Sequence, residues 1–166
     1  MPARKKPKTV ESKPEPAEPW YAPGLRFECT QCGDCCTGPP GYVWFDEDEG
    51  AAMAEYLGLS VEAFYKKHAV KKAGRWSLDE VKVGRKYDCV FLTRDATGKA
   101  GCSIYPVRPT QCRTWPFWDS NLTSPRAWMA SAKTCPGMKA PDEQRAGTFV
   151  PVEQIRVRLD ENPRGL

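Results

Sequence analysis

Four cysteines fall within eight residues in the run Cys29-x-x-Cys32-x-x-Cys35-Cys36. Thiolates are soft donors. Two residues between neighbours let a loop turn back so that both sulfurs face one ion, with backbone amides aimed at them. The same unit therefore recurs around zinc and around iron–sulfur clusters. Cys89, Cys102, Cys112 and Cys135 bring the total to eight, against a single histidine, His68. Zinc takes four tetrahedral ligands at about 2.3 Å, whereas a cluster is a larger cage ringed by thiolates. The spacing of Cys29, Cys32 and Cys35 equals the first three ligands of a bacterial ferredoxin loop. Cys135-Pro136 has the local form of that loop's remote fourth ligand, although other cysteines could complete the set. Successive side chains tend to point apart, so adjacent Cys35 and Cys36 are expected to serve different ions, or one of them lies outside the primary site. Eight thiols would fill two four-coordinate sites, or one cluster plus a zinc. Arg85, Lys86, Arg108 and Arg113 neighbour cysteines in the chain, where positive charge would stabilise thiolates. An ordinary surface role explains Arg85 and Lys86 equally well.

An even cysteine count fits a disulfide framework or a metal site, and the compartment decides between them. Residues Met1 to Lys8 are basic, but a polar, proline-rich stretch follows where a signal peptide would be apolar. No apolar run is long enough to cross a bilayer. The expectation is a cytoplasmic protein with reduced thiols, hence metal rather than disulfides. The formal net charge of +4, from 25 basic and 21 acidic side chains, is too balanced to argue for nucleic acid on charge alone.

At 166 residues the chain has room for one domain with tails. Residues 1–23 read as a disordered basic, proline-rich tail, residues 24–140 as the cysteine-bearing domain, and residues 141–166 as a C-terminal extension. Tyr42 to Phe45 has strand character. Asp46 with Glu49 makes a capping box, and the Met53, Tyr56 and Leu57 spacing predicts one buried helical face. Ser60 caps a second helix, with Leu59 and Phe64 as a hydrophobic staple and Val61, Phe64, Tyr65 and His68 on one face. His68 is read as a core residue rather than a ligand. Asp88 to Leu92 and Cys102 to Tyr105 read as a hairpin with one cysteine on each arm. Arg108-Pro109 starts a short helix or turn holding Cys112, Arg126 to Lys133 reads as a strand, and Val152 to Leu159 as a short helix or edge strand. The fold class expected is α+β: a small, irregular, metal-stabilised domain with short helices, a hairpin and long cysteine-bearing loops.

The run at 29–36, then Cys89-Val90-Phe91-Leu92, Cys102-Ser103-Ile104-Tyr105, Arg108-Pro109, Cys112-Arg113, Trp115-Pro116-Phe117 and Cys135-Pro136-Gly137 together resemble the CxxCxxCC cysteine-cluster family, also called YkgJ-type. The resemblance covers residues 27–138. It implies zinc or iron, with an iron–sulfur cluster as one form, and makes all eight cysteines candidate ligands. Some relatives are named as flagellin lysine N-methylases, which offers a component of such a methylase, or of an iron–sulfur oxidoreductase system, as an alternative. The chain carries no glycine-rich nucleotide loop, no C-x-x-x-C-x-x-C and no H-E-x-x-H, so no catalytic residue is assigned. A zinc-finger-like module using Trp115, Phe117 and Trp118 is a further alternative, although these rings are expected to pack. No partner is identified. A protein partner fits the resemblance; membrane and nucleic acid are not expected.

Overall fold

The computed structural model describes residues 18–138 and 147–162. Most of the tail expected over 1–23, and part of the 141–166 extension, lies outside the described residues. The chain opens with a short strand, β1 (Leu25–Arg26). The cysteine loop follows and ends in a 3-10 turn over Asp34–Cys36. Next come β2 (Thr37–Gly38), β3 (Val43–Phe45), α1 (Glu47–Tyr56) and α2 (Val61–His68). A run of antiparallel strands follows: β4 (Ala69–Lys72), β5 (Arg75–Leu78), β6 (Glu80–Val83), β7 (Lys86–Cys89), β8 (Leu92–Arg94) and β9 (Ala100–Cys102). The remainder is mostly helical, with α3 (Thr110–Thr114), α4 (Asp119–Leu122) and α5 (Pro125–Ala132), then β10 (Phe149–Val150) and α6 (Val152–Glu161). The strands form small antiparallel sheets in the orders β1-β10, β2-β7-β6, β3-β5-β4 and β8-β9. The molecule is a small α+β domain, as expected.

The helix starts follow their capping chemistry. Asp46 accepts from the Glu49 amide at 2.9 Å while the Glu49 carboxylate accepts from the Asp46 amide at 3.1 Å. The same carboxylate accepts from the Thr110 amide and hydroxyl, each at 2.6 Å, so it also caps α3. Asp46→Ala is expected to lower unfolding stability by about 0.5–2 kcal/mol, read from the urea midpoint. On α1, Gly50, Met53 and Ala54 face inward. Tyr56, expected on the buried face, is 50% exposed because the inward stripe runs through Gly50, Met53, Ala54 and Leu57, and Tyr56 lies to one side of it. The Ser60 cap holds at 3.2 Å to the Ala63 amide.

Two expectations are corrected. Residues 126–133 do not form a strand: 126–132 belong to α5 and Lys133 is its C-cap, and Ser124 caps the helix start by accepting from the Ala127 amide at 3.1 Å, with Pro125 in the first turn. The expected hairpin is also shifted. Cys89 pairs with Glu80 in the β6–β7 hairpin, and Cys102 pairs with Leu92 in the separate β8–β9 hairpin. The Val152–Leu159 segment resolves as helix.

Two apolar cores result. A terminal core gathers Leu25, Phe117, Leu122, Trp128, Val150 and Ile155, with Cys135 and Met138. Trp20 packs on it and donates to the Leu122 carbonyl at 2.6 Å. A central core gathers Phe45, Met53, Phe64, Leu78, Phe91 and Ile104, with Cys89 and Cys102 against it. Among the described residues, no helix is long and apolar enough to cross a membrane.

Candidate metal centre

Each cysteine is delivered by a locally determined feature. Gly33 precedes the 3-10 turn at φ 79°, and a Cβ there would lie 2.5 Å from the Ala100 Cβ on β9. Only glycine tolerates both the left-handed backbone and that approach, so the loop seats on β9 at this point. Past the turn, Thr37 pairs with Asp88, and its hydroxyl donates to the Asp88 carboxylate. Continued by one residue, that register sets Cys36 opposite Cys89. The chain then bends at Val90, whose amide donates to the Asp79 carbonyl at 3.1 Å. The Ser103 amide donates to the Phe91 carbonyl at 3.0 Å. The end of β9, and with it Cys102, is thereby drawn back beside the end of β7.

Cys112 comes from α3, which is fixed by its neighbour Gln111. The Gln111 side chain accepts from the Trp44 amide at 2.7 Å and donates to the Tyr42 carbonyl at 3.0 Å. This buried glutamine was not singled out from the sequence. Its partners are backbone groups 67 and 69 residues away, and no local pattern announces such a pairing.

Electrostatics ties four of these thiols together. Burial pushes the Cys112 thiol up, and negative charge at Cys89, Cys35 and Cys102 pushes it further. Cys89 is raised from 9.0 to about 11, first by burial, with Cys102 and Cys35 adding repulsion. Cys102 is raised by burial, with a further push from Cys35. Cys35 is raised chiefly by its contact with the Cys36 sulfur, 3.7 Å away, and then by burial. Every pair among Cys35, Cys89, Cys102 and Cys112 is therefore close enough for one thiolate to penalise the other. Arg108 opposes this repulsion at Cys35, Cys102 and Cys112. Its guanidinium stacks 3.8 Å from the Tyr105 ring centroid.

Soft donors gathered so closely that they would repel one another when ionised are a donor set suited to a soft or borderline cation, which would supply the missing positive charge. Among the described residues, however, no three His, Cys, Asp or Glu side chains have closed to metal-holding geometry. The thiols share a neighbourhood without an assembled coordination shell.

A consequence for pH follows for the metal-free protein. Folding favours the neutral Cys89 thiol, so that contribution is full below pH 9 and lost as pH rises toward 11. Reduced, chelator-treated protein is expected to show a falling urea midpoint across that alkaline window. With metal bound the sign reverses, because protons compete with the cation and acid weakens binding.

The other cysteines stand elsewhere. Cys29 is exposed, Cys32 half-buried and Cys135 buried in the terminal core. Cys32 is raised by burial, with the Asp34 carboxylate nearby. All eight are free thiols. His68 packs on Phe91 and Phe64, at 4.9 and 5.8 Å between ring centroids, and burial lowers its pKa. Arg113 is tied to the Arg108 carbonyl and Thr110 hydroxyl, both at 2.6 Å, so it braces α3. Arg85 and Lys86 are exposed at the β6–β7 turn. Phe117 is fully buried, and the Trp118 indole donates to the Gln111 carbonyl at 3.0 Å. These rings pack.

Comparison with known proteins adds a decisive match. The profile of the CxxCxxCC family, described as "Putative zinc- or iron-chelating domain", matches residues 28–136. The chain belongs to the CxxCxxCC family. Among curated relatives of this CxxCxxCC protein is an uncharacterized protein of Methanocaldococcus jannaschii, 32% identical over 97 residues. That alignment covers 58% of this chain and 48% of the archaeal protein, so the chain spans about half the length of that relative. No solved structure matches.

Proposed function

We propose that this CxxCxxCC protein binds zinc or iron in the reducing cytoplasm through cysteine thiolates. Cys35, Cys89, Cys102 and Cys112 supply a centre beside the central core, and Cys29, Cys32, Cys36 and Cys135 are further donors. The observation that carries the reading is the convergence of four thiols from the cysteine loop, β7, β9 and α3 on one neighbourhood, where Gly33 seats the loop on β9 and β2 pairs with β7. Nothing in a purely apolar core favours bringing four ionisable sulfurs together, whereas a bound cation rewards it. Sequence distance points the same way. The four residues span positions 35 to 112, so their convergence closes long loops between strands too short to hold themselves.

Zinc in such a site would act as a structural staple without redox chemistry, whereas an iron–sulfur cluster would also carry electrons. The protein's own part is the same in both cases. The two hairpins and α3 hold the sulfurs, the central core limits water, and Arg108 reduces the net negative charge.

The test is the metal and acid-labile sulfide content of anaerobically purified protein, taken with its absorption spectrum. Colourless protein with stoichiometric zinc assigns a structural centre. Brown protein with iron and sulfide assigns a cluster. Folded protein with neither would refute the reading.

A further inference from the structure

The cysteine loop passes from one core to the other, and its two halves take different partners. Its first half is tied to the terminal core. Phe27 bridges to Met138, and the Glu28 amide donates to the Gly137 carbonyl at 3.2 Å. A Cβ on Gly137 would run into the Glu28 carbonyl, so the two segments touch backbone to backbone. The Met138 amide closes the turn onto the Cys135 carbonyl at 3.0 Å. Cys135 therefore sits in the turn packed against Phe27 and Glu28, immediately before Cys29. The second half of the loop is tied to the central core through β2, β7 and the seat of Gly33 on Ala100. Between the halves the backbone turns left-handed twice, at Gln31 (φ 55°) and Gly33 (φ 79°), on either side of Cys32.

We infer that the eight thiols divide between two separate centres: Cys35, Cys36, Cys89, Cys102 and Cys112 beside the central core, and Cys29, Cys32 and Cys135 beside the terminal core. This division rests on the proposed metal binding and goes beyond it by assigning each sulfur. It also keeps adjacent Cys35 and Cys36 in one group, since their sulfurs lie 3.7 Å apart and both follow the seat of Gly33 on Ala100. The smaller group offers a zinc-class cation three thiolates and leaves a fourth position for water or an external ligand, as in open zinc sites. An ion held by three thiolates and an exchangeable fourth ligand is expected to be released faster than one that draws on the five sulfurs of the larger group.

The experiment uses the full chain, reduced and loaded with zinc, with release followed by a chromophoric chelator. Wild type is expected to release zinc in two phases. The Cys29→Ser, Cys32→Ser double variant is expected to lose the fast phase, keep the slow one and retain its far-ultraviolet circular dichroism. The Cys89→Ser, Cys112→Ser variant is expected to lose the slow phase. If it does not fold, the first variant decides alone. A first variant that loses both phases, or that releases zinc with wild-type amplitude and rates, overturns the division while leaving metal binding intact. A wild type that takes up neither zinc nor iron refutes metal binding itself, and the division with it.

Discussion

Cys112→Ser is expected to weaken metal binding at the centre beside the central core by more than about 100-fold, because changes in the shell around metal ligands alone cost 10–100-fold. Cys112 is the one sulfur of its group supplied by a helix, and that helix is clamped independently. Gln111 fastens it to β3, and Glu49 caps its start. Replacing the thiol by a hydroxyl should therefore leave α3 in place while removing a donor. Competition against a chelator reads the affinity. At saturating metal the same loss corresponds to about 2.7 kcal/mol of stability, so the melting temperature should fall only when metal is present. A side chain that merely packed would instead shift the melting of metal-loaded and metal-free protein equally.

Trp128→Ala is expected to lower unfolding stability by about 3–5 kcal/mol, the usual cost of emptying a large buried aromatic site. Trp128 is fully buried in the terminal core, with ring centroids of Phe117 and Trp20 at 5.8 and 6.4 Å. In a small domain that is a large share of the total stability. The urea midpoint measures it. Because Cys35, Cys89, Cys102 and Cys112 lie beside the other core, a variant that still folds should keep its slow-releasing metal, which separates loss of packing from loss of donors.

Features whose partners are near in sequence were legible before the fold was known. Asp46 with Glu49, and Ser60 with its staple, predicted helix starts because a capping residue and the amide it serves are three positions apart. The cysteine run marks candidate thiolate donors through spacing alone. Ser124-Pro125 is likewise an N-cap followed by a first-turn proline, a local signal that the strand expectation over 126–133 overlooks. The aromatic and β-branch-free stretch after it was read as strand instead, and tertiary burial of Trp128 on a helical face is what that reading missed.

Where partners are distant, the sequence was silent. The bend at Val90 contains no turn residue, so Cys89 was expected on the same hairpin as Cys102, whereas β7 pairs with β6 and β2. The grip of Gln111 on β3 and the stacking of Arg108 on Tyr105 beside three thiols are likewise invisible to local pattern. Eight candidate donors could be named from the chain, but their grouping depends on antiparallel registers that only the fold supplies.

The most direct measurement of the central claim is X-ray absorption at the metal edge of oxygen-protected, full-length protein as isolated. The account predicts a stoichiometric metal whose first shell is dominated by sulfur, at about 2.3 Å if the ion is zinc. A shell of nitrogen and oxygen alone, or folded protein carrying no metal, would contradict it.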